Sequence, residues 1–311
     1  MSNSSQGDKV AVLLLAHGSP DSADEIPEYL RLVTSGRPLP QHVIDEIAHR
    51  YSLVGFSPLT SWTLKQGQQL ASALGIPVYV GMRNWKPFVA DVTRKMMSEG
   101  VHQVVAICMA PQNSRTSVGL YRRAVESQNA AFLVDFVESW HDHPLLAKAF
   151  AEKLKSGWHV ACEDAGAKVP IIFTAHSVPQ RTITEGDPYQ AQAHETAELV
   201  AKEAGLDANQ WTFAFQSQGM SGGPWIGPTV EETMLRLKAQ GNSGVFIQPV
   251  GFLCDHVEVL YDIDIAFKDF ARQNNLRLRR AESLNDSPLL TEALADISRA
   301  RLKVSAPTST T

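Results

Sequence analysis

Two stretches of this chain repeat one pattern half a chain apart: VAVLLLAHGSP at residues 10–20 and VPIIFTAHSVP at residues 169–179. Each is a continuous apolar run that ends in Ala-His, with a proline three residues beyond the histidine. A run without polar alternation is a strand buried on both faces, which restricts it to a parallel sheet covered by helices. Further runs complete the repeat: GIPVYVG, VHQVVAICMA and AFLVDFV follow the first, and WTFAFQ, SGVFIQPV and LRLRR follow the second, four strands against four. Between them lie helical patterns such as TLKQGQQLASAL, PFVADVTRKMMSEG and VEETMLRLKAQG, several closed by or near the glycine that favours a left-handed C-cap. The alternation predicts an α/β chain of two doubly wound domains, each a four-stranded parallel sheet flanked by helices, joined near residues 142–150. In such sheets ligands bind beyond the carboxyl ends of the strands. His17 and His176 stand at two of those ends, so both imidazoles are expected to point into one interdomain cleft.

At 311 residues, 44% apolar and 20% charged, the chain is long enough for two cores. A net charge of -5 with scattered Lys and Arg excludes an electrostatic footprint for nucleic acid. The LLLA run is too short to cross a bilayer or to act as a signal core, and no basic region precedes it, so the expected location is the cytoplasm. Cys108, Cys162 and Cys254 are far apart and lack a C-x-x-C, so neither a disulfide framework nor an iron–sulfur or structural zinc site is encoded. They read as small buried apolar side chains.

The second informative stretch is QPVGFLCDHVEVLYDID, residues 248–264, where a strand passes through Pro249 and Gly251 into a helix. Glu258 and Asp262, at i and i+4, share a helix face. Such a pair is either a solvated acidic face, its commoner meaning, or a place for a cation. Asp255 reads as the N-cap of the same helix. One imidazole, His176, and one carboxylate, Glu258, form a borderline ligand set suited to ferrous iron with positions open for substrate. Two ligands hold metal weakly, unlike the three or four of zinc sites; a histidine after a strand is also an ordinary structural residue. GMSGG at 219–223 satisfies G-x-S-x-G, with Asp255 and His256 downstream in hydrolase order, but Ser221 is followed by Gly223, Pro224 and Pro228 and not by the helix a nucleophile elbow requires. Arg50, Tyr51 and Ser57 in one region, and Tyr121, Arg122 and Arg123 in another, suit a carboxylate-bearing aromatic ligand or are ordinary surface residues.

Taken together, AHSVP at 175–179, PVGFLCDHVEVLYDID at 249–264, SPLT at 57–60, GMRNWKPFV at 81–89, GDPY at 186–189 and PWIGP at 224–228 resemble the ferrochelatases, enzymes that place ferrous iron in a porphyrin. The resemblance covers nearly the whole chain and is strongest to the soluble coproporphyrin III enzymes, through GMRNW and AHGSP. It implies two Rossmann-like domains, 8–145 and 146–305, with flexible tails at 1–7 and 306–311 and the porphyrin in the cleft. It implies His176 and Glu258 as catalytic residues and inner metal ligands, and Asp262 and His17 as further metal ligands. His17, Arg50, Tyr51, Ser57 and Tyr121 are its implied porphyrin contacts. His17 stands where Gram-positive relatives carry a tyrosine, which makes it a candidate axial ligand of product iron. Thr34 stands where that group has a basic residue, and Ala266 where soluble members commonly carry a further acid. The resemblance further implies a lyase of haem biosynthesis that takes Fe2+ as substrate and prefers coproporphyrin III to protoporphyrin IX. No permanently bound cofactor and no iron–sulfur cluster are expected, and the chain is expected to be a monomer without a transmembrane segment that serves a transient haem acceptor. A cobalt or sirohydrochlorin chelatase and a non-catalytic tetrapyrrole carrier are the alternatives.

Overall fold

The computed structural model describes residues 9–219 and 223–302. The tails expected to be flexible, and Ser221 of the G-x-S-x-G run, lie outside the described residues. The first half runs β1 (Lys9–Ala16), α1 (Ile26–Val33), α2 (Gln41–Val54), α3 (Leu59–Leu74), β2 (Val78–Met82), α4 (Val89–Ser98), β3 (Val101–Cys108), α5 (Val118–Glu126) and β4 (Leu133–Val137). The second runs α6 (Pro144–Ala165), β5 (Ile171–His176), α7 (Gln180–Thr184), α8 (Tyr189–Ala204), β6 (Trp211–Gln216), α9 (Val230–Ala239), β7 (Gly244–Pro249), α10 (Val257–Leu260), a π-helical segment (Asp262–Phe267), α11 (Lys268–Gln273), β8 (Arg277–Arg280) and α12 (Pro288–Arg301).

Strand order is β2-β1-β3-β4 in one sheet and β6-β5-β7-β8 in the other, with every pair parallel. Counted within each half, the two orders are the same, so the repeat in the sequence is a repeat of topology. The chain leaves β1 to build β2 on one side and then crosses to β3 on the other, which opens a crevice at the carboxyl end of β1. β5 occupies the same place in its own sheet. Ala11, Leu13 and Leu15 face one core while Val12, Leu14 and Ala16 face another, which is why the strand tolerates no polar residue.

One core crosses both halves. It unites Leu14 and Val105 of the first sheet with Phe173 and Phe246 of the second, through Phe150 and Leu154 of α6 and Leu290 and Leu294 of α12. α6 begins at Pro144, a residue that presets the first helical turn, and the His143 side chain accepts the Leu145 N–H at its start. α12 returns to lie against both α6 and the first-half helix α3. Two glycines mark where backbone must approach closely. A Cβ on Gly18, at φ +86°, would lie 2.8 Å from the Trp85 nitrogen, and one on Gly251 would lie 2.9 Å from Ala175 Cβ.

Candidate active site

The crevices of both sheets open into a single cavity of about 400 Å³, and its wall includes His17 from the end of β1 and His176 from the end of β5. Glu258 and His256 enter from the loop and first turn after β7, and Tyr51, Ser57 and Tyr121 come from the first half. The sequence-derived set is therefore largely convergent. Arg50 is the exception. Its guanidinium pairs with Glu46 and lies 5.1 Å from the centre of the Tyr261 ring, outside the cavity wall, on the side where it lowers the proton affinity of Asp262. Asp262 also stands behind the wall, accepting a hydrogen bond from the Ser217 hydroxyl.

The centre of the site is one carboxylate between two imidazoles. His176 Nε2 lies 3.6 Å from Glu258 Oε1, and His256 Nε2 lies 3.5 Å from Glu258 Oε2. Each ring is oriented by backbone: His176 Nδ1 donates to the Ser177 carbonyl, and His256 Nδ1 donates to the Cys254 carbonyl at 3.0 Å. A carbonyl only accepts, so both Nδ1 atoms carry hydrogen and both Nε2 atoms are turned to the carboxylate. Tyr189 of the GDPY motif fixes the strand end beneath, its hydroxyl donating to the His176 carbonyl at 2.9 Å.

Charge follows from this packing. Burial alone would lower the pKa of His176, but the facing Glu258 carboxylate and the Ser177 carbonyl override it and raise the value to about 9. Burial likewise pushes Glu258 toward protonation, and the two histidines overcome it and hold the carboxyl well below its usual range. Solvent in the cavity reaches 34% of the His176 and 38% of the Glu258 side chain and screens the pair in part. Asp262, pushed up mainly by burial and also by Glu258, titrates at about 6. His17 is the opposite case, with burial first and the Arg83 cation second lowering its pKa to about 4. His176 is thus an imidazolium at neutral pH in the free protein, not the neutral base that an ordinary histidine would be.

Several residues of the site were not singled out from sequence. Asn84 donates toward the His17 ring at 3.0 Å, Tyr29 meets that ring edge-on at 6.2 Å, and Arg83 lies over the Tyr121 ring at 5.8 Å. Arg83 and Asn84 belong to the GMRNW run, which carried the resemblance without carrying a role. In the sequence His256 reads as a hydrolase partner and as part of the 249–264 block that carries the resemblance, without a role of its own. Asp255 is not the N-cap: the cap position is His256, and Asp255 turns away to accept hydrogen bonds from Ser283 and Asn285. Among the described residues, no group of three or more His, Cys, Asp or Glu side chains is arranged to hold a metal ion.

The π-helical segment follows α10 after one residue, Tyr261. The Ala266 N–H reaches the Tyr261 carbonyl, five residues back, at 2.9 Å, while the Ile265 N–H shares the same carbonyl at 3.1 Å.

Comparison with known proteins agrees with this geometry. The family model described as Ferrochelatase matches residues 9–302. A ferrochelatase from Acidobacterium capsulatum is 56% identical over 95% of this chain and 95% of its own. A protein from Geobacillus sp. named coproporphyrin III ferrochelatase is 32% identical over 95% of this chain and 99% of its own. Among solved structures, SirB from Bacillus subtilis with Fe3+ covers 94% of each chain at a TM-score of 0.57 and 11% identity, a likeness of fold alone. The cavity shared by two repeated sheets, its carboxylate-centred histidine pair and the match over residues 9–302 lead to one conclusion: this chain belongs to the ferrochelatase family.

Proposed function

We propose that this chain, a metal-inserting enzyme of haem biosynthesis, loads Fe2+ into coproporphyrin III in preference to protoporphyrin IX. The observation that carries the reading is Glu258 held between the Nε2 atoms of His176 and His256, with His17 in the same cavity.

Insertion exchanges two pyrrole protons for one dication. In the free protein the His176–Glu258 pair holds one proton. Fe2+ approaching Glu258 competes for the same carboxylate and repels the imidazolium, so that its proton passes to solvent in the cavity and Nε2 becomes free to accept one from a pyrrole nitrogen. That proton follows to solvent, and the second pyrrole proton leaves by the same Nε2. His176 is the base while its single Nε2 lone pair takes a proton and an inner ligand only when that lone pair is free, Glu258 is the delivering ligand, and Asp262 is the carboxylate behind it. His17 stays neutral at working pH, and its one lone pair becomes available to the product iron when the Asn84 amide releases it. Tyr51, Ser57 and Tyr121 contact the macrocycle. Bending it toward the product geometry costs about 1–5 kcal/mol, supplied by contacts remote from the metal.

The substrate preference rests on polarity. Coproporphyrin III carries four carboxylates around its rim, and the cavity includes Ser19, Ser57, Thr63, Gln112, Ser114 and Thr116. Ser57 Oγ and Arg83 Nε are buried without a hydrogen-bond partner among the described residues, and Arg83 has no acidic partner there. A cation so placed calls for an anion. Carboxylate anchoring is therefore assigned to Arg83 in place of Arg50. No resident cofactor takes part in this scheme, and the protein acts as a cytoplasmic monomer that passes product to a transient acceptor. No helix among the described residues is long and apolar enough to cross a membrane.

Anaerobic assays with Fe2+ and each porphyrin, followed by the loss of porphyrin fluorescence and the change in its visible bands, test the reading. A higher kcat/KM for coproporphyrin III is expected. Faster turnover of protoporphyrin IX would overturn the preference.

A further inference from the structure

The segment that leaves β8 makes a set of hydrogen bonds that neither the fold nor the chemistry above accounts for. Asn285 Oδ1 accepts the Asp255 N–H at 2.8 Å, Asn285 Nδ2 donates to Asp255 Oδ2 at 2.9 Å, and the Asn285 N–H donates to the Leu253 carbonyl at 3.0 Å. Ser283 donates to the other Asp255 oxygen at 2.8 Å. Arg280 approaches that oxygen at 3.2 Å and reaches Asp264 of the π-helical segment at 2.7 Å. Asp255 precedes His256 directly and Glu258 by three residues, while Asp264 lies just past Asp262. One short segment thus grips the acidic helix on both sides of the residues that face the metal.

The same segment reaches the opposite half. The Asn285 carbonyl accepts from Gln66 Nε2 at 2.7 Å, and Gln66 is a buried residue of α3 in the cavity wall. Asn285 adopts φ +46°, a left-handed conformation that asparagine accepts more readily than most residues. An asparagine there satisfies the backbone shape and the two-point hold on Asp255 together.

We propose that Asn285 is a positioning residue for iron insertion: its side-chain amide fixes the loop that presents His256 and Glu258, and its carbonyl ties that loop to the wall formed by the other half. The inference rests on the role given to Glu258 above. Asp255, with both oxygens engaged, is a structural anchor and takes no proton in the reaction.

The variant Asn285→Gly keeps the left-handed backbone, and with it both main-chain bonds, while removing only the amide. Its kcat for Fe2+ insertion is expected to fall about 10–100-fold, the usual effect of losing a group that orients a metal ligand. The KM for coproporphyrin III and its dissociation constant, read from fluorescence quenching, are expected to stay at wild-type values. A second comparison does not depend on how well Asn285→Gly folds. Asn285→Asp alone sets two carboxylates against each other and lowers kcat, whereas Asn285→Asp combined with Asp255→Asn restores donor and acceptor in exchanged positions and recovers it. Wild-type kcat in Asn285→Gly, or no recovery in the exchanged pair, would overturn the inference. A wild-type protein that inserts no iron into either porphyrin would instead overturn the reading of the site itself.

Discussion

His17 and His176 leave equivalent strands after the same alanine, yet their neighbours drive them apart. Arg83 adds to burial at His17 and takes its pKa to about 4, while Glu258 overcomes burial at His176 and takes it to about 9. The two therefore act on stability in opposite ways. His176, raised, contributes stability that is complete below the unfolded value of about 6.5 and lost as pH climbs through the folded value. His17, lowered, removes stability as pH falls below about 6.5, because the unfolded chain takes its proton first. Replacing Glu258 with Gln removes the largest opposition to burial and leaves only the Ser177 carbonyl and Asp262, so the His176 pKa is expected to fall clearly in an NMR titration of the imidazole. Persistence near the wild-type value would contradict the pairing. Activity of the same variant should fall by about 10²–10⁴-fold, the range for loss of a positioned proton-transfer partner. The histidines were legible because each follows a strand. Their unequal charge was not, since Arg83 and Glu258 lie far from them along the chain and only the fold supplies these neighbours.

At the level of elements, the strands were the plainest part of the sequence. All eight runs form strands; the inner ones are buried on both faces and have no room for polar alternation, whereas the edge strands β4 and β8 are partly exposed and β8 alternates arginine with leucine and arginine. The helix after β7 was harder to read. A four-residue helix, a single linking residue and a π-helical segment stand where the i, i+4 spacing suggested one continuous helix. The extra residue of a π turn leaves no mark on a hydrophobic period. The Asp255 misreading has a similar cause, because an aspartate before a helix is more often its cap than a tether to a segment some 30 residues downstream. Contact between β7 and β5 sets the reach of the site. Ala175, which directly precedes His176, lies where a side chain on Gly251 would have to go. Gly251→Ala should therefore displace the end of β5, destabilise the fold by about 1–3 kcal/mol as overpacking does, and lower kcat. Denaturant unfolding and turnover measured together check this, and a variant unchanged in both would show that the contact is slack.

At the scale of the molecule, the sequence boundary at residues 145 and 146 falls within α6, a helix whose buried face belongs to a core shared by both sheets. Phe150, 1% exposed, stands in that core. Phe150→Ala is expected to cost about 3–5 kcal/mol, and calorimetry should show the protein still unfolding in one transition at lower temperature. Separate transitions for the two halves would mean that the shared core does not couple them. The repeat of four strands was visible because periodicity is a local property. The return of α12 onto α3 was not, because an amphipathic pattern tells which face of a helix is apolar and not which partner covers it. The doubled fold has one more consequence. A planar macrocycle has two faces, and the cavity lays an unpaired guanidinium, Arg83, near His17 and a carboxylate, Glu258, beside His176. The cleft is therefore unevenly charged: the Arg83 cation stands on the His17 side and the Glu258–His176 ion pair on the other, so two otherwise alike halves present unlike groups to the two faces of a bound ring.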